Sequence, residues 1–185
     1  MIDDFVSDAT RRMDKSVEAA AHEFNTVRTG RASAALLDRI QVDYYGTPTP
    51  LQQLATINVP EPRMITIQPY DPGSIKAIER AVLESDLGLT PSNDGKVVRL
   101  PIPQLTEERR KELVKVVRHL AEEGRVAVRN VRRDVMHHLK ELVDKGEVGS
   151  DEEHRAEERV QKLTDDHTHK IDELLKRKEA EILEV

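Results

Sequence analysis

The 185-residue chain has no cysteine and no tryptophan, and its aromatic content is only 3%. The absence of thiols excludes disulfides, thiolate nucleophiles and sulfur-built zinc sites, and it suits a reducing cytosol. So few rings leave little to fill a wide sheet core, so long amphipathic helices are expected to dominate. No stretch approaches the roughly 18 apolar residues needed to cross a bilayer. The start, Met1-Ile2-Asp3-Asp4, is acidic and has no apolar core of signal-peptide length, so a soluble cytoplasmic protein is expected. Neither a GxxxxGK(S/T) loop nor a glycine-rich dinucleotide fingerprint is present, which leaves no evident nucleotide site.

Charge is what the chain has in abundance: 35% of residues are charged and the net charge is -6. The apolar residues between them are periodic, which argues against disorder. A helical pattern runs from about residue 3 to 28 on Phe5, Ala9, Met13, Val17, Ala20, Phe24 and Val27. Thr29-Gly30 ends it plausibly. The texture then changes. Ile40, Val42 and Tyr44 alternate, residues 46–50 (GTPTP) read as a turn, and Ile65 and Ile67 alternate again. Asp71 to Ser74 caps a modest helix on Ile75, Ile78, Ala81 and Val82 that runs to near Gly88, and residues 97–100 form a last strand. Pro101-Ile102-Pro103 fixes an extended, poorly hydrogen-bonded exit.

Two long helical patterns follow, from Thr106 to about Lys145 and from Asp151 to Leu183. At 1.5 Å per residue the first is roughly 55 Å long. Neither would be stable alone, so mutual burial with the first helix predicts a three-helix bundle. The fold expected is α+β: a long antiparallel three-helix bundle from residues 1–30 and 104–185, with a small β/α/β domain inserted at 31–103. Two strands of chain join them, Thr29-Gly30-Arg31 and Pro101-Ile102-Pro103. Such a pair resists twisting but permits hinge motion about a preferred axis.

Residues 124–133 (GRVAVRNVRR) carry four arginines and no acid. At about 100° per helical residue, Arg118, Arg125, Arg129 and Arg132 fall within roughly 60° of one another, with Arg133 beside them. Leu113, Val117, Leu120, Ala127, Val131, Val135, Leu139 and Leu142 cluster about 130° away, which leaves the arginines in water. An ordinary wet helix face mixes signs at i,i+4 spacing, and this run does not. Residues 105–133 hold nine basic and five acidic side chains, whereas 147–185 hold seven basic and thirteen acidic. A solvated row of guanidinium groups suits phosphate recognition, and overall acidity does not exclude an RNA partner.

Five segments, VRTGRAS (27–33), YYGTPTPL (44–51), SDLGLTP (85–91), LTEERRK (105–111) and RVAVRNVRRD (125–134), together resemble the bacterial ribosome recycling factor family across essentially the whole chain. The resemblance implies a three-helix bundle bearing a small hinged domain. It also implies a translation factor that binds ribosomal RNA of the large subunit after termination and, with elongation factor G, splits the ribosome for a new round. GTP would be hydrolysed by that partner, and no cofactor is expected for this chain. The RNA-contacting arginines of the family match Arg129 and Arg132, with Arg28, Arg31, Arg110 and Arg133 as weaker matches.

Other constellations carry less. Tyr44 and Tyr45 could stack on bases, but core packing or inter-domain contact is the expectation, since one of two neighbours in a strand faces inward. Asp134 with His138, and His167 and His169 near Asp165 and Asp166, lack the convergence of a metal site and are read as solvated or helix-flanking. No nucleophile and buried carboxylate pair can be argued, so the chain is not expected to be an enzyme. The rival reading is a coiled-coil interaction module that dimerises without RNA. The inserted domain and its twin linkers argue against it, and a monomer is expected.

Overall fold

A computed structural model describes residues 1–184, and the chain divides into two compact units: residues 1–29 with 107–184, and residues 30–106. Gly30 and residues 104–106, grouped above with the bundle, therefore pack with the smaller unit.

The larger unit is built from α1 (Ile2–Thr26), α4 (Glu107–Asp144) and α5 (Ser150–Leu183). Each opens with acids in its first turn, Asp3 and Asp4, Glu107 and Glu108, and Asp151 to Glu153, where the helix dipole favours negative charge. Between α4 and α5 the chain reverses at Gly146, whose φ is +71°. Glu147 N–H donates to Leu142 O at 2.9 Å and Gly146 N–H to Val143 O at 2.9 Å, a Schellman close that needs a glycine at this position.

Cross-helix pairs give the directions. Arg118 meets Glu179 and Arg125 meets Asp172, one residue number rising as the other falls, so α4 and α5 are antiparallel. Asp3 with Arg159 and Asp14 with His167 rise together, so α1 and α5 are parallel. The buried face of α4 is Leu113, Val117, Ala121, Gly124, Val128, Val131, Val135, Leu139 and Leu142. This differs from the row expected above, because Leu120 and Ala127 are only half-buried and Ala121, Gly124 and Val128 replace them. The reason is steric. A Cβ on Gly124 would lie 3.1 Å from both Ala20 Cβ and Ile171 Cδ1, so three helices converge where side chains are smallest. Volume, not hydrophobicity, selects the face there.

His167 on α5 is buried rather than solvated, correcting the expectation. Its Nε2 lies 2.6 Å from Asp14 Oδ1 and its Nδ1 lies 2.6 Å from Leu163 O, so the ring ties α5 to α1 inside the bundle. His138 is half-buried, and Asp134 beside it is engaged by Arg12 at 2.6 Å. Among the described residues no group of His, Asp and Glu could hold a metal ion.

The smaller unit holds a hairpin of β1 (Gln41–Tyr44) and β2 (Thr47–Pro50), a short α2 (Leu51–Leu54), and β3 (Ala55–Glu61) and β4 (Met64–Pro69). Helix α3 (Ile75–Glu84), β5 (Ser92–Asn93) and β6 (Val98–Pro101) follow. Strands β3-β4-β6-β5 form one antiparallel sheet. Ile65 and Ile67 on β4, Val98 and Leu100 on β6, and Ile75, Ile78 and Val82 on α3 supply its core, at period two on strands and period 3.6 on the helix. Helix α3 stops at Glu84, short of the Gly88 expected.

Residues 47–50 are a strand, not a turn. The reversal takes only Tyr45 and Gly46, with φ of +49° and +84°, the pair of positive values that a two-residue hairpin loop demands. Strand β3 escaped the sequence reading because only Ala55 and Ile57 of it turn inward and Pro60 interrupts it. The chain leaving β6 is better bonded than expected. Pro101 still pairs with Met64, and Ile102 N–H donates to Arg63 O at 2.8 Å, while Ala32 N–H donates to Pro62 O at 2.7 Å.

Candidate nucleic-acid interface

Helix α4 positions Arg118, Arg125, Arg129, Arg132 and Arg133, because its apolar face is consumed by α1 and α5 and the arginines are left on the other side. They are not simply bathed in water. Arg118 Nε is 2.7 Å from Glu179 Oε1, Arg125 Nη1 is 2.5 Å from Asp172 Oδ1, and Arg132 Nη1 donates to Gln161 Oε1 at 3.1 Å. These three partners all stand on α5. Within α4, Glu122 takes Arg125 Nε at 3.0 Å and Arg129 Nη2 at 2.6 Å. The row expected to be acid-free therefore meets acids from one and two turns up its own helix and from the neighbouring helix.

Pairing sorts the arginines by availability. Arg125 is held by two carboxylates with only 23% of its side chain exposed. Burial works against its charge, but Glu122 and Asp172 outweigh that and raise its pKa above the ordinary arginine value. Arg129 is a third exposed and leans back along its own helix. Arg132 spends a single bond on a neutral amide. Arg133 is exposed and no ion pair or hydrogen bond engages it among the described residues. Exposed ion pairs contribute at most about 1 kcal/mol, so a polyphosphate can exchange for them. The hydrogen bond from Arg129, followed by that from Arg125, lowers the Glu122 carboxyl below its ordinary range, so it stays anionic at neutral pH.

Arg110, on the first turn of α4, is half-buried, and its Nε has neither solvent nor a partner among the described residues. Arg28, just past the end of α1, is exposed, and Arg31 is exposed in the smaller unit. The structure thus gathers Arg125, Arg129, Arg132 and Arg133 on one stretch of one helix, and Arg110, Arg28 and Arg31 lie outside that stretch.

Sequence reasoning missed Glu122, Gln161, Asp172 and Glu179 as neighbours of the row. A signal existed: Arg118, Arg125 and Arg132 recur every seven residues, and Asp172 and Glu179 are also seven apart. In two antiparallel helices, matched seven-residue spacings of opposite charge face each other.

On the smaller unit, Tyr44 is half-buried and Tyr45 is 83% exposed, so only the first of the two neighbours turns partly inward. Both hydroxyls donate to Asp71 Oδ2, at 3.1 and 3.4 Å, and the rings meet edge-on with centroids 4.6 Å apart. The hydrogen bond from Tyr44 to Asp71 raises the Tyr44 pKa.

No helix among the described residues is long and apolar enough to cross a membrane. The family model described as "Ribosome recycling factor" matches residues 20–183. The chain is 60% identical over 180 residues to the ribosome-recycling factor of Rubrobacter xylanophilus, covering 97% of each. It is 55% identical over 185 residues to that of a Geobacillus species, covering all of both. Among solved structures it resembles a solution structure of the ribosome recycling factor at 44% identity, with a TM-score of 0.75 over 100% of this chain and 98% of that one. It also resembles, at 46% identity and a TM-score of 0.64 over 99% of each chain, the recycling factor of T. thermophilus in models that place it with the E. coli elongation factor G on the E. coli post-termination complex. The folded architecture, the arginine-bearing helix and the full-length similarity agree: the chain belongs to the ribosome recycling factor family.

Proposed function

We propose that this protein binds the post-termination ribosome through the basic face of α4 and, together with elongation factor G and GTP, splits the particle into subunits. The observation that carries the reading is full-length similarity to a recycling factor known from models with elongation factor G bound to a post-termination complex. The physical support is a rigid helix presenting guanidinium forks that can grip phosphates in pairs. Arg132 and Arg133 are its leading contacts, since they give up least on binding, and Arg129 joins after leaving Glu122. Arg125 serves mainly to join α4 to α5. Arg110, Arg28 and Arg31 are supplementary contacts. The chain performs no chemistry itself, and GTP belongs to the partner.

The apolar stripes that a coiled-coil module would need for dimerisation are spent inside the chain, where Val117, Ala121, Val128 and Val160 have no exposed surface. This favours a monomer. The test is disassembly of post-termination ribosomes by the purified protein, with elongation factor G and GTP added or withheld. Subunits should appear only when all three are present. Intact particles in every lane would end the proposal.

A further inference from the structure

We propose that Glu122 is a built-in competitor for the phosphates that α4 grips, a carboxylate that must be displaced from Arg129 and Arg125 before an RNA backbone can take its place. The inference rests on the RNA-binding reading above. Its geometry is that of a phosphate surrogate. One carboxylate oxygen lies 2.6 Å from Arg129 Nη2 and the other 3.0 Å from Arg125 Nε, so a single anion bridges two guanidinium groups. Neighbouring phosphate oxygens make the same two-handed contact.

Position makes Glu122 special among the acids near the row. Asp172 and Glu179 reach the arginines from α5, and their pairs hold the two helices in register. Glu122 pairs only within α4, three and seven residues away. A spacing of seven residues is about 10.5 Å of helix, so Arg129 must lie down along the axis to make this bond instead of reaching outward. The same glutamate is half-exposed, so an incoming anion can reach it. A glutamate carboxyl is ionised at neutral pH, and the hydrogen bonds from Arg129 and Arg125 lower its pKa further, so the competition is not gated by mild acid.

The consequence is reversibility. A factor that binds once per cycle and must leave is served by arginines that return to an internal partner on release. Two partly exposed ion pairs, each worth a few-fold in equilibrium, set the scale of the brake at about five- to tenfold.

The test is binding of the full-length protein to large ribosomal subunits across a salt series, with dissociation rates. Glu122→Gln keeps the size and removes the charge. It should bind about five- to tenfold more tightly at low salt, leave more slowly and show a salt slope steeper by up to about one. Glu123→Gln is the control for bulk charge, since Glu123 is exposed and, among the described residues, pairs with His119 at 3.0 Å and with no arginine. An equal gain in both variants would overturn the proposal. So would unchanged or weaker binding by Glu122→Gln. In an Arg129→Ala background the gain should shrink. If Arg132→Ala and Arg129→Ala lose affinity while Glu122→Gln gains none, the brake is wrong and the interface stands. If the arginine variants bind as wild type, the interface is wrong and the brake falls with it.

Discussion

Arg125 and Arg132 sit seven residues apart on one face of α4, yet their environments assign them different work. Arg125 is mostly buried between Glu122 and Asp172, and Arg132 touches only the Gln161 amide. Removing Arg132 should cost the bundle little and weaken attachment to large subunits, with a salt slope flatter by somewhat under one. Arg133→Ala should behave alike. Arg125→Ala should instead lower bundle stability by about 1 kcal/mol, the upper range for an ion pair joining two helices. Denaturant melts beside binding isotherms separate the two classes. If Arg125→Ala melts as wild type while Arg132→Ala unfolds early, the assignment is reversed. Arg132→Lys should restore only part of the binding, because a point charge replaces a planar fork.

At the scale of elements, Gly124 decides how closely α4 approaches α1 and α5. A side chain there meets Ala20 and Ile171 at 3.1 Å, so Gly124→Val should destabilise the bundle by about 1–3 kcal/mol through overpacking, although valine is the better helix residue. A denaturant midpoint at or above that of wild type would show that the helices can part at no cost. The helices are laced together by pairs that respond to acid. Hydrogen bonds from Arg159 and Arg12 lower the carboxyl groups of Asp3 and Asp134 below their ordinary values. In the unfolded chain an aspartate titrates near about 3.9, so these pairs contribute fully above that pH and their contribution is lost as pH falls through the lower folded values. The thermal midpoint should therefore be level above about pH 5 and fall below about pH 4, with a shallower fall in Arg12→Ala. The same fall in both proteins would remove Arg12 and Asp134 from the account.

For the molecule as a whole, we propose that bending is confined to Thr29-Gly30-Arg31 on one strand and to the residues just past Ile102 on the other. Ala32 and Ile102 are each anchored to the Pro62–Arg63 turn of the smaller unit, so flexing on either strand must occur outside them. Among the hinge residues inferred from sequence, Pro101 and Ile102 are part of this anchored sheet, and Pro103 lies just past it. Gly30 has a φ of +75°, and a Cβ there would lie 2.9 Å from Leu105 Cγ, so no other residue fits without strain. Gly30→Pro forces φ to about −65° and should change both the small-angle scattering profile and the rate of ribosome disassembly. Identical profiles and identical activity would argue for a rigid body.

Periodicity carries local information, so the sequence by itself determined the three long helices and the concentration of arginine on α4. It also carried β4 and β6, because Ile65, Ile67, Val98 and Leu100 alternate without interruption. Strand β2 was hidden because prolines at 48 and 50 imitate a turn, and β3 because its outer half faces water. What only the tertiary structure decided is which side chains meet across elements. Gly124 and Ala121 line the core where Leu120 was expected because the helices close on volume. His167 turned inward because Asp14 waits for it on α1. Asp172 and Glu179 fell on the arginine row because antiparallel packing aligned two seven-residue spacings that lie far apart in the chain, while Glu122 meets the row from within α4 itself. Pairing between distant positions leaves no trace in either segment alone, which is why the row was legible and its restraint was not.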